Sequence, residues 1–246
     1  MSEPALGALL GFGRTAEVFA CGALAMKLYK PTAVKSVPFR EAAILTAVET
    51  LGLAAPVVHG VWQFDDRWGV LMDRVEGPPI SEDIIRGGEA RAARLSRMVE
   101  LQVQVHSHPA PQFISLKTRL AANIRRADRL SEQRRATLLA GLVEMPDGEQ
   151  LCHGDFHPEN IMGPPGHEVI IDWLDSSRGD PAADACRTYV MLWARDRELA
   201  AAYIDAYGQL SGKSRDAILS WLPFVAAARI AEGLPEIDEL MQMAGG

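Results

Sequence analysis

The amino-acid sequence predicts an α+β chain: a small β-rich lobe carrying one helix, then a larger, mainly helical lobe that carries a β-hairpin. Three observations predict it. Short apolar segments separated by glycines occupy roughly the first 72 residues, as expected of antiparallel strands. Beyond Arg74 the pattern switches to helical spacing, as in Leu95, Met98, Val99, Gln102 and Val105. A strand-and-loop island at about 150–172 then interrupts the helical region. The predicted division is residues 1–73 and 74–246.

Within the first lobe, Leu6 to Phe12, Glu17 to Cys21 and Ala23 to Tyr29 read as three strands. Pro38 opens a helical pattern in which Phe39, Ala43, Ala47 and Leu51 step by four residues, with Gly52 as its stop. Val57 to Phe64 and Trp68 to Met72 read as two more strands, joined by a tight turn at Asp65-Asp66-Arg67. Arg74 to Pro79 reads as a linker. In the second lobe, helical patterns cover the neighbourhood of Leu95, then 116–129, 131–143, 181–194, 197–210, 214–231 and 235–243.

Composition narrows the classes of function. The 246 residues are 48% hydrophobic and 23% charged, with a formal net charge of −7. That balance argues against nucleic acid as a main partner, because phosphate backbones need a basic face. A cationic small molecule is compatible with it. Cys21, Cys152 and Cys186 are widely spaced and odd in number, so neither a disulfide framework nor a zinc ligand set follows. The N-terminus lacks the pattern of a signal peptide, and no apolar run has the length of about 18 residues needed to span a bilayer. The expectation is a reduced, cytoplasmic protein without a membrane partner.

Three constellations carry chemistry. Gly11-Phe12-Gly13-Arg14-Thr15-Ala16 forms a turn between two predicted strands, where glycines let backbone N–H groups approach phosphate oxygens. The same glycines would serve equally as plain turn residues. Lys27 sits in an apolar strand, and Glu41 lies early in the predicted helix. A Lys–Glu pair bridging strand and helix can hold an ammonium against nucleotide phosphates, whereas each residue alone suits a solvated surface.

The third constellation is the most specific: His153-Gly154-Asp155-Phe156-His157-Pro158-Glu159-Asn160, followed by Val169-Ile170-Ile171-Asp172. Asp155 and Asn160 share a loop, and Asp172 ends an apolar strand, where a carboxylate is costly unless satisfied. Asn160 and Asp172 supply hard oxygens suited to magnesium. Asp155 can take a proton from an attacking hydroxyl.

Together these residues resemble the protein-kinase-like fold, and most closely the aminoglycoside phosphotransferase and choline kinase group. The resemblance runs from about residue 7 to about 190 and rests on Gly11-x-Gly13-x-x-Ala16-x-Val18, Lys27, Glu41, His153-Gly154-Asp155 with Asn160, and Ile171-Asp172-Trp173. It implies Asp155 as catalytic base, with Asn160 and Asp172 as magnesium ligands. Lys27 would meet the α- and β-phosphates of ATP or GTP, oriented by Glu41, under the turn that carries Gly11 and Gly13. Backbone groups from Met72 to Arg74 would meet the adenine. His153 would brace the catalytic loop, and Asp184 would hydrogen-bond that loop from a helix start.

Departures refine the expectation. Gly154 stands where protein kinases carry arginine, Trp173-Leu174 follows Asp172, and no Ala-Pro-Glu segment follows. There is no room for a phosphorylated activation loop before Pro181. These absences favour a small-molecule hydroxyl acceptor, aminoglycoside- or amino-alcohol-like, over a protein. Two other readings compete. A metal-dependent hydrolase would use His153, Asp155 and His157 as alternate ligands, but Pro158 follows at once. A catalytically silent nucleotide-binding protein would keep the fold without turnover.

Acceptor candidates are Asp175, three residues past Asp172, and the acidic residues Glu232, Glu236, Asp238 and Glu239, which also fit a solvated helix face. Trp193 and Trp221 fit a pocket wall or a core. His106 precedes Ser107-His108-Pro109 and reads as a helix end, where an imidazolium suits the dipole. The sequence leaves the oligomeric state open.

Overall fold

The computed structural model describes residues 4–233 and 237–245. In chain order the strands and helices are β1 (Leu9–Phe12), β2 (Ala16–Cys21), β3 (Leu24–Tyr29), α1 (Ser36–Thr50), β4 (Val58–Phe64), β5 (Arg67–Asp73), α2 (Ser81–Arg86), α3 (Gly88–His106), α4 (Leu116–Arg126), α5 (Glu132–Glu144) and β6 (Gln150–Cys152). There follow β7 (Ile161–Met162), β8 (Val169–Ile170), β9 (Ser177–Gly179), α6 (Pro181–Trp193), α7 (Arg197–Ser211), α8 (Arg215–Leu219), α9 (Leu222–Ile230) and α10 (Ile237–Met243). Two compact units contain them: residues 1–82 with 159–174, and residues 83–158 with 175–246.

The first unit is built on a five-stranded antiparallel sheet in the order β1-β2-β3-β5-β4. Alternation along β3 sorts its side chains. Met26 and Leu28 join Leu71 in an apolar cluster with Phe19, Trp62 and Phe64 packed against it. Lys27 and Tyr29 point the other way and meet α1 through Glu41. The predicted turn at Asp65 is present, with Asp65 at φ 51°. A second small hairpin, β7 with β8, belongs to this unit; Ile80 N–H donates to Ile161 O (2.9 Å) and Ile170 N–H to Ala54 O (2.8 Å).

Helix α1 departs from its sequence pattern in one instructive way. It opens at Ser36, so Pro38 lies in the first turn, where a missing N–H costs nothing. Its buried residues are Pro38, Glu41, Leu45 and Val48, while Phe39 is exposed. A pattern search for apolar spacing selects the opposite stripe, because the buried one contains a glutamate that only an ion pair can satisfy.

The second unit packs α3, α4, α6, α7 and α9 with the short antiparallel pair β6 and β9. Trp221, Tyr203 and Tyr207 are fully buried, which places Trp221 in the core; Trp193 is partly exposed, its ring tilted against Tyr189 with Arg197 over its face. The predicted helix at 214–231 is two helices, α8 and α9, broken at Ser220-Trp221. Pro223 explains the break, since it has no N–H to donate backwards and its ring crowds the preceding turn. Helix α2 was not expected, being too short for a periodic signal. Among the described residues, no helix is long and apolar enough to cross a membrane.

Candidate active site

In the first unit the structure brings Lys27, Glu41 and Asp172 into direct contact. The Lys27 ammonium donates to Glu41 Oε1 at 2.6 Å and to Asp172 Oδ1 at 2.9 Å. Glu41 is buried, and its other oxygen accepts a hydrogen bond from the Tyr29 hydroxyl. Burial by itself lowers the pKa of Lys27, but the Glu41 and Asp172 carboxylates outweigh it and hold the ammonium well above the usual lysine range. Lys27 is therefore a permanent cation held between two elements.

Asp172 sits just beyond β8 at φ 60°, a left-handed conformation that costs a residue with a Cβ about 1–3 kcal/mol. Its side chain is 45% exposed, so the burial expected of a residue closing an apolar strand does not apply to the carboxylate. Asn160 is buried one strand away, and Ile171 N–H donates to its backbone carbonyl at 2.9 Å. Pairing of Ile161 with Ile170 thus places Asn160 beside the residue that leads into Asp172. Among the described residues, no group of three or more His, Cys, Asp or Glu side chains forms a metal cage.

The other residues expected on the nucleotide side lie elsewhere in the same sheet. Met72 pairs with Ala25 and Val58, and Arg74 follows β5 with an ion pair to Glu76 at 2.9 Å. Gly11 is paired with Val18 in β1, and Gly13 N–H closes the turn onto Ala16 O at 2.7 Å. Neither glycine has a positive φ; a Cβ on Gly11 would meet nothing within 4 Å, and one on Gly13 only Ala16 O at 3.6 Å. The local fold would therefore accept side chains here. Gly11→Ala is expected to change the urea-unfolding free energy by less than about 1 kcal/mol, while weakening stabilisation by added ADP several-fold. An unaltered ADP response would show that the glycine serves the turn alone.

In the second unit, the catalytic-loop candidate is held from beneath by a buried polar network. Asp184, in the first turn of α6, accepts from Gly154 N–H (2.8 Å) and His153 N–H (3.2 Å). It also accepts from Gln102 Nε2 (3.2 Å) and lies 3.0 Å from His106 Nε2. Thr188 donates to Phe156 O, and Tyr203 to Gln102 Oε1. Helix α3 does end at His106, but the imidazole turns inward to Asp184 and Tyr207 instead of facing solvent. His153 is fully buried, its Nδ1 accepting from Asp155 N–H and its ring edge-on to Phe156. That geometry suits a brace and removes His153 from a metal ligand set with Asp155 and His157.

Burial opposes the charge on Asp184, but the hydrogen bond and charge of His106 and the loop N–H groups outweigh it, so its pKa lies below the usual carboxylate value. Its stabilisation is complete above the unfolded pKa of about 3.9 and is lost as pH falls through the lower folded value. Asp184→Asn should cost about 1.5–3 kcal/mol near neutral pH and flatten the acid limb of stability below about pH 4. Urea titrations at several pH values would check it; an unchanged acid limb would remove Asp184 as its source.

Asp155 itself lies 3.4 Å from His157 Nε2 and 3.6 Å from Arg187 Nη2. Burial tends to raise its pKa, but His157 and Arg187 more than compensate and hold the carboxyl well below its usual range. Arg187 also donates to Gly154 O and to Glu232 Oε1 at 2.7 Å. A solvent-open cleft adjoins this loop, lined by Gly154, Asp175, Arg187, Glu232, Arg119 and Asn123 among others. Of the acidic acceptor candidates, Asp175 is paired with Arg119 and Glu232 with Arg187. Glu239 reaches Arg197 at 3.4 Å on the surface, Asp238 lies in the first turn of α10, and Glu236 falls outside the described residues. Arg119 and Arg187 gave no sequence signal, since isolated basic residues in helices look like solvated ones.

The model of the phosphotransferase enzyme family (APH) matches residues 13–219. The chain belongs to this family. No curated protein matches the phosphotransferase, but many solved structures do. One is aminoglycoside phosphotransferase APH(3'')-Id from Streptomyces rimosus with ADP and streptomycin, 19% identical over 87% of this chain and 90% of that one, TM-score 0.63. Another is a thermostable mutant of aminoglycoside phosphotransferase APH(4)-Ia with ADP and hygromycin B, 13% identical over 100% and 95%, TM-score 0.68. A third is choline kinase LicA from Streptococcus pneumoniae, 13% identical over 98% and 94%, TM-score 0.65. At these identities the likeness establishes the protein-kinase-like fold, with its antiparallel-sheet lobe and helical lobe.

Proposed function

We propose that this phosphotransferase moves the γ-phosphoryl group of ATP or GTP, with magnesium, to a hydroxyl of a small molecule of the aminoglycoside or amino-alcohol type. The observation that carries the reading is the Lys27 ammonium fixed between Glu41 and Asp172. A cation kept charged at that position, beside a backbone-strained carboxylate, compensates buried Glu41 and is suited to bind phosphates. Complexes with ADP among the structures similar to it add support.

The residues divide the work. Lys27 binds the α- and β-phosphates and Glu41 orients it, while Gly11 and Gly13 leave room for backbone N–H groups to approach them. Backbone groups at Met72 and Arg74 receive the base. Residues 1–73 form the nucleotide-binding lobe, and 74–246 carry the catalytic loop and acceptor site. Asn160 and Asp172 would hold magnesium; one amide oxygen and one carboxylate suit an ion that keeps water and phosphate as its other ligands. When bound, the ion neutralises charge on the phosphates.

In the transfer, a bond forms between the acceptor oxygen and the γ-phosphorus, and the bond from that phosphorus to the bridging oxygen breaks, releasing the nucleoside diphosphate. The hydroxyl proton passes to Asp155. A carboxylate with a depressed pKa is a weak base, so the proton moves late. The main service of Asp155 is then to hold and aim the hydroxyl, as a loose, dissociative transition state requires.

A coupled assay of ADP or GDP release over aminoglycosides, amino alcohols and sugars tests this. Release should require both magnesium and an acceptor, and chelation should return it to background. Nucleotide-induced stabilisation with no product over the panel would instead identify a silent binder.

A further inference from the structure

We propose that Arg187 is a positioning residue for Asp155, fixing both the peptide that leads into Asp155 and the direction of its carboxylate. The proposal rests on the phosphotransfer reading above, in which Asp155 holds and aims the attacking hydroxyl. It starts from spacing on α6. Asp184, Arg187 and Thr188 stand at i, i+3 and i+4, so they share one face of the helix. That face carries the loop. Asp184 accepts from the N–H groups of His153 and Gly154, and Thr188 donates to Phe156 O. Arg187 donates through Nε to Gly154 O.

Asp184 and Thr188 hold backbone on either side of Asp155, whereas Arg187 reaches its side chain as well. Nη2 lies 3.6 Å from Asp155 Oδ1. The guanidinium is planar and rigid, so Nε and Nη2 keep the Gly154 carbonyl and the Asp155 carboxylate in one fixed relation. Gly154, at φ +82°, has the backbone freedom that would otherwise let the next peptide turn and swing Asp155 away.

The third nitrogen keeps the guanidinium in place. Nη1 donates to Glu232 Oε1 at 2.7 Å, just beyond α9, and Glu232 Oε2 lies 3.4 Å from Arg229 Nη1. Arg187 and Glu232 are 13% and 17% exposed, so each charge depends on the other for compensation. An ion pair needed only to join α6 to the end of α9 would use Nη1 alone. Here the other two nitrogens are turned to the loop. Lysine would keep the charge, but a single nitrogen lacks the fork that spans Gly154 O and Asp155.

The test uses the full-length protein with ATP and magnesium. ADP release is read with streptomycin, hygromycin B and choline as acceptors and, without acceptor, as hydrolysis by water. Rates are expressed per ADP-binding molecule, which removes any loss of folded protein from the comparison. Arg187→Lys should lower kcat of whichever turnover the parent shows by about 10- to 100-fold, the scale for a reacting group held slightly out of place. The KM for ATP should stay within about twofold, since the nucleotide residues are untouched. Arg187→Ala should lose at least as much, and added guanidinium chloride should relieve it where ammonium chloride does not. Glu232→Gln should fall between the parent and Arg187→Ala. Arg187→Lys carries the test if the alanine variant fails to fold. The parent's kcat in Arg187→Lys, or a loss confined to KM or to the number of ADP-binding molecules, would reduce Arg187 to a structural ion pair and leave phosphotransfer standing. Equal relief of Arg187→Ala by the two salts would do the same. Absence of Asp155-dependent turnover of every kind in the parent would overturn the phosphotransfer reading and this proposal with it.

Discussion

Asp155→Asn is expected to lower acceptor-dependent turnover by about 100- to 10,000-fold, the range for loss of a general base. The substitution keeps the size and planarity of the side chain, so the loop should survive: its hydrogen bonds to Asp184 come from the His153 and Gly154 backbone. What disappears is the negative charge facing His157 and Arg187, and with it the basicity proposed to receive the acceptor proton. Stabilisation by ADP should persist and serves as the control for folding. Because the Asp155 pKa is held below the usual carboxylate range, the residue is ionised throughout the ordinary working range of pH. Any loss of activity on acidification above about pH 4 then belongs to another group. Full turnover by the asparagine variant would refute the assignment outright.

The second large effect is on stability. Gly154→Ala should destabilise the protein by about 2–6 kcal/mol, from two costs that add at one site. Gly154 has φ +82°, where a Cβ is strained, worth about 1–3 kcal/mol. The same Cβ would lie 2.2 Å from Asp175 O and 3.1 Å from Asp175 Cβ, and relieving such overpacking costs about 1–3 kcal/mol more. Urea unfolding reads the change directly, and in a chain of this size the thermal midpoint should fall by about 2–4 °C per kcal/mol. A variant within about 0.5 kcal/mol of the parent would show that the loop can move away from Asp175 at no cost. This is also the physical reason the position cannot carry the arginine found in protein kinases.

The relation between sequence and structure is uneven along the chain. Strand and helix types were legible wherever the apolar period was regular, as in β3 to β5 and α3, because burial of one face imposes that period. The candidate site was legible where a residue type is improbable in its surroundings, such as Asp172 after three apolar residues or Lys27 between Met26 and Leu28. It was not legible where a charged residue is buried with a partner distant in sequence. Glu41 hid the buried stripe of α1, and His106 read as a solvent-facing helix end. Arg187, which touches Gly154, Asp155 and Glu232, was passed over. Pro223 interrupts the helix at 214–231 although the helical period continues on either side of it, because the missing N–H acts independently of apolar spacing.

By itself, then, the sequence determined the α+β class, the family resemblance and the candidate residues for phosphoryl transfer, because motif spacing and apolar periodicity are local properties. The tertiary structure decided their pairings. It joined Lys27 to Glu41 and Asp172, set Asp184 beneath the His153-Gly154 backbone, and paired Asp175 with Arg119 and Glu232 with Arg187. Those are contacts between residues far apart in the chain, and the sign and strength of a charge interaction depend on distance and burial, which no local pattern encodes.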